Sequence, residues 1–267
     1  MPKIIENKVI VLTRQPEQSK EAILKLEKNG ASVISFPTIK IVPAENHKEF
    51  DTSIKKFTTF DYIVFTSGNA VKYFVIRLDQ IQKYLNFDKK KVVAVGEKTA
   101  LACNRYHIPV DIVPKNFSAK GIAKELSKYD IAGKNFFIPC SSIARDELPE
   151  RLDKMGAVIT RLPVYNTIVP DSSETDKIVE VILNSKPDIF IFTSPSTFHN
   201  FVKILNLADP EDYFYGCTVA AIGPTTESAI KAKGVTVQIT PPKNTMTSLI
   251  DSVLNFCSIN DKTEKKT

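Results

Sequence analysis

Asp61-Tyr62-Ile63-Val64-Phe65-Thr66-Ser67 and Asp188-Ile189-Phe190-Ile191-Phe192-Thr193-Ser194 are one pattern written twice. Each is an acid, four apolar residues of β-branched or aromatic type, then Thr-Ser. A strand with one wet face would alternate polar and apolar residues, so an unbroken apolar run reads as a strand covered on both faces. That is the environment of a parallel sheet under helices. The offset of 127 relating the two also carries Val93-Ala94-Val95-Gly96 onto Ala220-Ala221-Ile222-Gly223 and Val110-Asp111-Ile112-Val113-Pro114 onto Val237-Gln238-Ile239-Thr240-Pro241. An offset of 126 carries Asn7–Leu12 onto Gly133–Ile138, Asn29–Val33 onto Met155–Ile159, and Pro37 onto Pro163. The chain reads as an internal duplication.

Between the strand-like runs lie helical patterns. Glu17 to Asn29 sets Ala22, Ile23 and Leu26 on one stripe and ends at Gly30, a left-handed cap residue. Its counterpart is expected to begin at Pro149, with Leu148, Leu152 and Met155 inward, and to end at Gly156. Strand and helix alternate throughout, which gives an α/β fold of two similar doubly wound parallel-sheet domains. Pro37–Pro43 and Pro163–Pro170 are equivalent and bracketed by prolines, which disfavours central strands. They are expected to pair as a two-stranded ladder linking the domains. The divisions are then 1–36 plus 171–257 for a discontinuous first domain, 44–162 for the second, 37–43 and 163–170 for the linker, and a disordered tail over 258–267.

Composition removes several classes of function. At 43% hydrophobic and 25% charged residues, the chain is an ordinary globular one and not disordered. Its longest apolar runs fall far short of the roughly 20 residues of a membrane helix. Met1–Lys8 runs into a strand-like stretch without a signal pattern, so a cytoplasmic protein is expected. Thirty-six Lys+Arg against 30 Asp+Glu leave a net charge of +6, which suits an anionic partner. Six arginines scattered from Arg14 to Arg161 make no basic, aromatic-studded stripe, so nucleic acid is not expected. Cys103, Cys140, Cys217 and Cys257 are widely spaced and form no metal motif with the three histidines. They read as reduced, buried, inert thiols.

Polar residues gather where strands should end. These loops are Thr13-Arg14, Thr66-Ser67-Gly68-Asn69, Gly96-Glu97-Lys98-Thr99, Asn116-Phe117-Ser118, Thr193-Ser194-Pro195-Ser196 and Gly223-Pro224-Thr225-Thr226. In doubly wound sheets ligands sit beyond the carboxyl ends of the strands. Helix-start amides with hydroxyls beside them hold anions. Each Ser or Thr also has a plainer use as a cap of its own helix. No phosphate-loop, dinucleotide or nucleophile-elbow motif is present.

In order and spacing, these residues resemble the uroporphyrinogen-III synthase family over the chain to about Cys257. The similar features are Val11–Arg14, Phe65-Thr66-Ser67 with Asn69-Ala70-Val71, and Val95-Gly96 with Thr99. Further along they are Arg145 with Leu148-Pro149, Leu152 and Gly156-Ala157, then Val164-Tyr165-Asn166-Thr167, and Ile222–Thr226. The resemblance implies a monomeric lyase of haem biosynthesis that converts hydroxymethylbilane to uroporphyrinogen III. The reaction loses water and inverts ring D through a spiro intermediate, with no cofactor and no metal. Transient contact with the preceding pathway enzyme is compatible with it. It implies Tyr165 as the acid, since a phenol is an O–H donor at neutral pH. The substrate contacts it implies are Arg14, Thr66, Ser67, Asn69, Gly96, Thr99, Ser118, Arg145, Thr193, Ser194, Ser196, Gly223, Thr225 and Thr226. Asn69 stands where some relatives carry arginine. The alternative left open is a non-catalytic, two-lobed protein that binds or senses a small anion.

Overall fold

The structure, a computed structural model, describes residues 4–264. The chain forms two compact units, Met1–Lys40 with Ile168–Thr267 (unit 1) and Ile41–Thr167 (unit 2). The first passage through unit 1 supplies β1 (Val9–Leu12), α1 (Lys20–Lys28) and β2 (Ser32–Ser35). Unit 2 follows with β3 (Lys40–Pro43), α2 (Lys48–Lys55), β4 (Tyr62–Phe65), α3 (Gly68–Gln80), β5 (Lys91–Ala94), α4 (Glu97–Arg105), α5 (Ala119–Leu126), β6 (Asn135–Ser141), α6 (Glu147–Asp153) and β7 (Val158–Ile168). The return through unit 1 adds α7 (Ser172–Ser185), β8 (Ile189–Phe192), α8 (Pro195–Ile204), α9 (Pro210–Phe214), β9 (Thr218–Ala221), α10 (Pro224–Lys231) and α11 (Met246–Glu264).

The unit 1 sheet has the order β2-β1-β8-β9, and its neighbours are parallel. Unit 2 has the order β3-β7-β6-β4-β5, parallel from β7 to β5. Strands related by the sequence offsets occupy the same places, β2-β1-β8-β9 against β7-β6-β4-β5. Single parallel bridges, Val93 with Ile112 and Ala220 with Ile239, extend both sheets at equivalent points.

The unbroken apolar runs are explained by a core on each face of each sheet. In unit 2, Ile63 and Phe65 join one cluster with Phe50, Phe74 and Phe137, while Tyr62 and Val64 join another with Phe136 and Leu152. In unit 1, Ile189 and Ile191 pack with Leu249 and Val253, and Phe190 and Phe192 pack with Phe198, Phe201 and Phe214. The repeated acid before each run is structural. Asp61 accepts a hydrogen bond from the Asn135 amide at 2.9 Å, and Asp188 from the Val9 amide at 2.8 Å. Each carboxylate thereby ties the start of its neighbouring strand, which would otherwise leave an unpaired N–H.

Four expectations change. The segments 37–43 and 163–170 do meet, as β3 beside the end of β7, but as part of the unit 2 sheet and not as a ladder apart from it. Residues 163–168 continue β7, which lies inside the unit 2 sheet between β6 and the edge strand β3. Proline is tolerated there because the register slips: Pro163 lies opposite Cys140 and Tyr165 opposite Ser141, leaving Val164 as an extra residue. Pro16–Gln18 forms a 3-10 turn, so α1 starts at Lys20 and not Glu17. Helix α6 starts at Glu147, with Pro149 still inside the first turn, where its missing N–H costs nothing. Helix α11 runs through Glu264, since a packed helix propagates at one bond per residue. The remainder of the expected tail, 265–267, lies outside the described residues.

Candidate functional site

Because the strands of each sheet run parallel, the loops that follow them lie along one edge of that sheet. In unit 2, Thr66 leaves β4 and Ser67 caps α3, its Oγ accepting from the Ala70 amide at 3.1 Å. Asn69 follows in the first turn of α3, half-buried. Gly96 precedes α4, and the Thr99 amide donates to its carbonyl at 3.0 Å, with the Thr99 side chain buried. Ser118 caps α5 and accepts from the Gly121 amide at 3.1 Å. Arg145 is exposed on the loop after β6, beside Ala144 and Asp146, which are both held by Arg161.

Tyr165 is brought to Ser67 by the slip in β7. Side chains alternate along a strand, so Tyr165 would share a face with Pro163 and oppose Val164 if β7 were regular. The extra residue re-aims it. Val164 and Tyr165 then enter the same cluster, and the Tyr165 hydroxyl lies 3.3 Å from Ser67 Oγ. The ring stacks on Tyr73 at 5.7 Å between centroids, and Tyr73 in turn donates to the Ile41 carbonyl at 2.7 Å. Only 8% of Tyr165 is exposed, which leaves little beyond its edge for a ligand to reach.

Unit 1 repeats the arrangement with other contacts. Arg14 is half-buried after β1, its Nε donating to Gln18 Oε1 at 3.1 Å. Burial lowers the pKa of its guanidinium, a cost that an anion beside it would offset. Ser194 caps α8, accepting from the Thr197 amide at 3.2 Å and meeting Ser196 Oγ at 2.9 Å. Thr197, which sequence reading did not single out, completes a capping box by accepting from the Thr193 and Ser194 amides. Its signal was the third place after a Ser cap, occupied here by Thr in place of the usual Glu or Gln. Gly223 precedes α10, the Thr226 amide donates to its carbonyl at 3.0 Å with Thr226 buried, and Thr225 is exposed. Tyr73 was also missed. Only the tertiary packing brings it under Tyr165, and no local pattern announces that.

Cys103 and Cys140 are buried, but Cys217 and Cys257 are only half-buried, because the loop before β9 and the late turns of α11 lie near the surface. Burial pushes the Cys103 thiol up to about 12 and Cys140 to about 11. The thiolates are thus disfavoured in the folded state. Their contribution to stability is present below the ordinary thiol range and is lost as pH rises above about 9. Native alkylation at pH 8, read by peptide mass, is expected to spare Cys103 and Cys140. Early labelling of either would show that its strand or helix opens readily.

Two units, each with a parallel sheet, helices and helix-start loops along the carboxyl edge, define the class as α/β. Among the described residues, no helix is long and apolar enough to cross a membrane, and no cluster of three potential metal ligands occurs. Residues 20–251 match the family described as uroporphyrinogen-III synthase HemD. The chain is 29% identical to uroporphyrinogen-III synthase of Chlorobaculum parvum, over 88% of this chain and 93% of the relative. It is 30% identical to a putative uroporphyrinogen-III synthase of Methanocaldococcus jannaschii, over 84% and 89%. Its fold is similar to that of uroporphyrinogen-III synthetase from Helicobacter pylori, with a TM-score of 0.62, 17% identity and coverage of 94% and 99%. The chain belongs to the uroporphyrinogen-III synthase family.

Proposed function

We propose that the protein closes hydroxymethylbilane, a linear tetrapyrrole with eight carboxylates, to uroporphyrinogen III with loss of water and inversion of ring D. Family membership across residues 20–251 supports the reaction. The observation that carries the mechanism is the Tyr165 hydroxyl at 3.3 Å from the Ser67 cap. We read the two units as an internal duplication, which the shared strand order supports.

The substrate closes unaided to the symmetric type I isomer. The protein must therefore hold the chain so that the substituted ring D position is reached first, which is a matter of orientation and differential transition-state binding. The carboxyl-edge loops of Arg14, Thr193–Ser196 and Gly223–Thr226, and of Thr66–Asn69, Gly96–Thr99, Ser118 and Arg145, hold carboxylates through hydroxyls, guanidinium groups and helix-start amides. Tyr165 donates to the departing hydroxyl as its carbon–oxygen bond breaks, so the leaving group departs as water. Ser67 takes an N–H bond from Ala70 and can pass its own O–H to Tyr165. A donor received at the phenol oxygen strengthens the phenol's own donation. No cofactor enters this reading.

Purified protein without added metal is expected to divert hydroxymethylbilane to the type III isomer, with chelator making no difference. Isomer analysis of the oxidised product checks this. Type I product alone, at the unassisted rate, would refute the proposed activity.

A further inference from the structure

Both units build the same device beside their glycine loops, yet finish it with different chemistry. A Cβ added to Gly96 would lie 2.9 Å from Phe117 Cδ1, and one added to Gly223 would lie 2.7 Å from Asn244 Cγ. At both sites the covering side chain belongs to the residue just before a capping hydroxyl. Ser118 accepts from the Gly121 amide at 3.1 Å, and Thr245 from the Ser248 amide at 3.2 Å. Every pair here is related by the offset of 127: Gly96 with Gly223, Phe117 with Asn244, Ser118 with Thr245. The absence of a Cβ on the glycine is what lets the covering side chain approach the backbone this closely.

Phe117 is 59% exposed although it is a large apolar ring, and it lines a groove of about 700 Å³ together with residues of α4 and of the 113–115 stretch. Leu101 is 58% and Val113 40% exposed, and with Ala100 and Pro114 they make the groove largely apolar, its polar members being Lys115, Glu97 and Asn104. One side of the phenyl ring, at Cγ, Cδ1 and Cε1, approaches Gly96, while more than half of the residue remains exposed.

We propose that Phe117 is a specificity-determining substrate contact: its exposed ring stacks on one pyrrole ring of the linear tetrapyrrole, a contact that its counterpart Asn244 cannot make. This rests on the proposed reaction and deepens it. A tetrapyrrole is a row of flat, electron-rich rings fringed by carboxylates. A protein that only held carboxylates would grip each end of it alike. An aromatic contact in unit 2, at a position where unit 1 carries Asn244, distinguishes ring from fringe.

The test compares wild type with Phe117→Ala, Phe117→Leu and Phe117→Asn in two assays, turnover of hydroxymethylbilane and equilibrium binding of the tetrapyrrole product. Loss of a stacking contact is expected to raise KM and the product Kd about fivefold to thirtyfold in the Ala and Asn variants. Leu should recover only part of this, with kcat within about twofold in all three. The side chain is mostly exposed, so melting temperatures should stay close to wild type. Variants whose KM and Kd match wild type would overturn the contact. Full recovery by Leu would overturn stacking. Wild type that binds the product but makes no type III isomer, with Phe117→Ala binding more weakly, would uphold the contact and refute the reaction. Wild type that neither binds nor turns over would refute both.

Discussion

Tyr165→Phe is expected to lower kcat about tenfold to a thousandfold, with KM changed far less, because a positioned acid typically contributes about 10² to 10⁴ in rate and water can replace part of it. The substitution removes one oxygen and keeps the ring. The stack on Tyr73 and the burial in the unit 2 core therefore survive, and only the contact to Ser67 is lost. Folding should be nearly unchanged. The Ser67 hydroxyl would still cap α3 through the Ala70 amide. The rival role for Tyr165 is packing, and packing has much in its favour in a residue 8% exposed. The two separate cleanly in a single-turnover measurement. A chemical step within about twofold of wild type would remove Tyr165 from the mechanism and leave the work to orientation and backbone amides.

Phe192→Ala is expected to destabilise unit 1 by about 3–5 kcal/mol, the usual result of emptying a fully buried aromatic site. Phe192 is 0% exposed and meets Phe198, Phe201 and Phe214 edge-on at 5.2, 5.6 and 5.9 Å. The three rings that remain are held by one another and by Phe190, so they cannot all move into the gap without giving up those contacts. At roughly 2–4 °C per kcal/mol for a chain of this size, the melting temperature should fall by about 10 °C. Thermal denaturation followed by circular dichroism measures it. A fall of under about 2 °C would mean that the cluster repacks. Phe192 ends the strand whose next residues are Thr193 and Ser194, so a loosened core also loosens a proposed binding loop.

The strands were legible because burial on both faces of a parallel sheet demands unbroken apolar runs, and those runs occur twice at one offset. The loops were legible for a related reason. Once the strands are parallel, every strand-to-helix turn falls on the same edge, and Ser67, Ser118 and Ser194 do cap the helices that follow them. Helix starts were less so. Helices were expected to begin at Glu17 and Pro149, yet Glu17 falls in a 3-10 turn opened by Pro16, and Pro149 sits inside a helix already begun. Both proline placements are permitted by the same missing N–H, so the residue alone does not choose between them.

By itself, then, the sequence determined the α/β class, the parallel runs, the carboxyl-edge loops and the family resemblance, all of which depend on local pattern and order. Tertiary structure alone decided that residues 163–168 stay inside the unit 2 sheet as part of β7. It also decided that the slip opposite Cys140 and Ser141 turns Tyr165 onto the face of Ser67 and Tyr73. The physical reason is the two-residue period of a strand. One extra residue reverses the facing of every side chain beyond it, and where that residue is absorbed depends on the partner strand's register, which no single stretch of sequence contains.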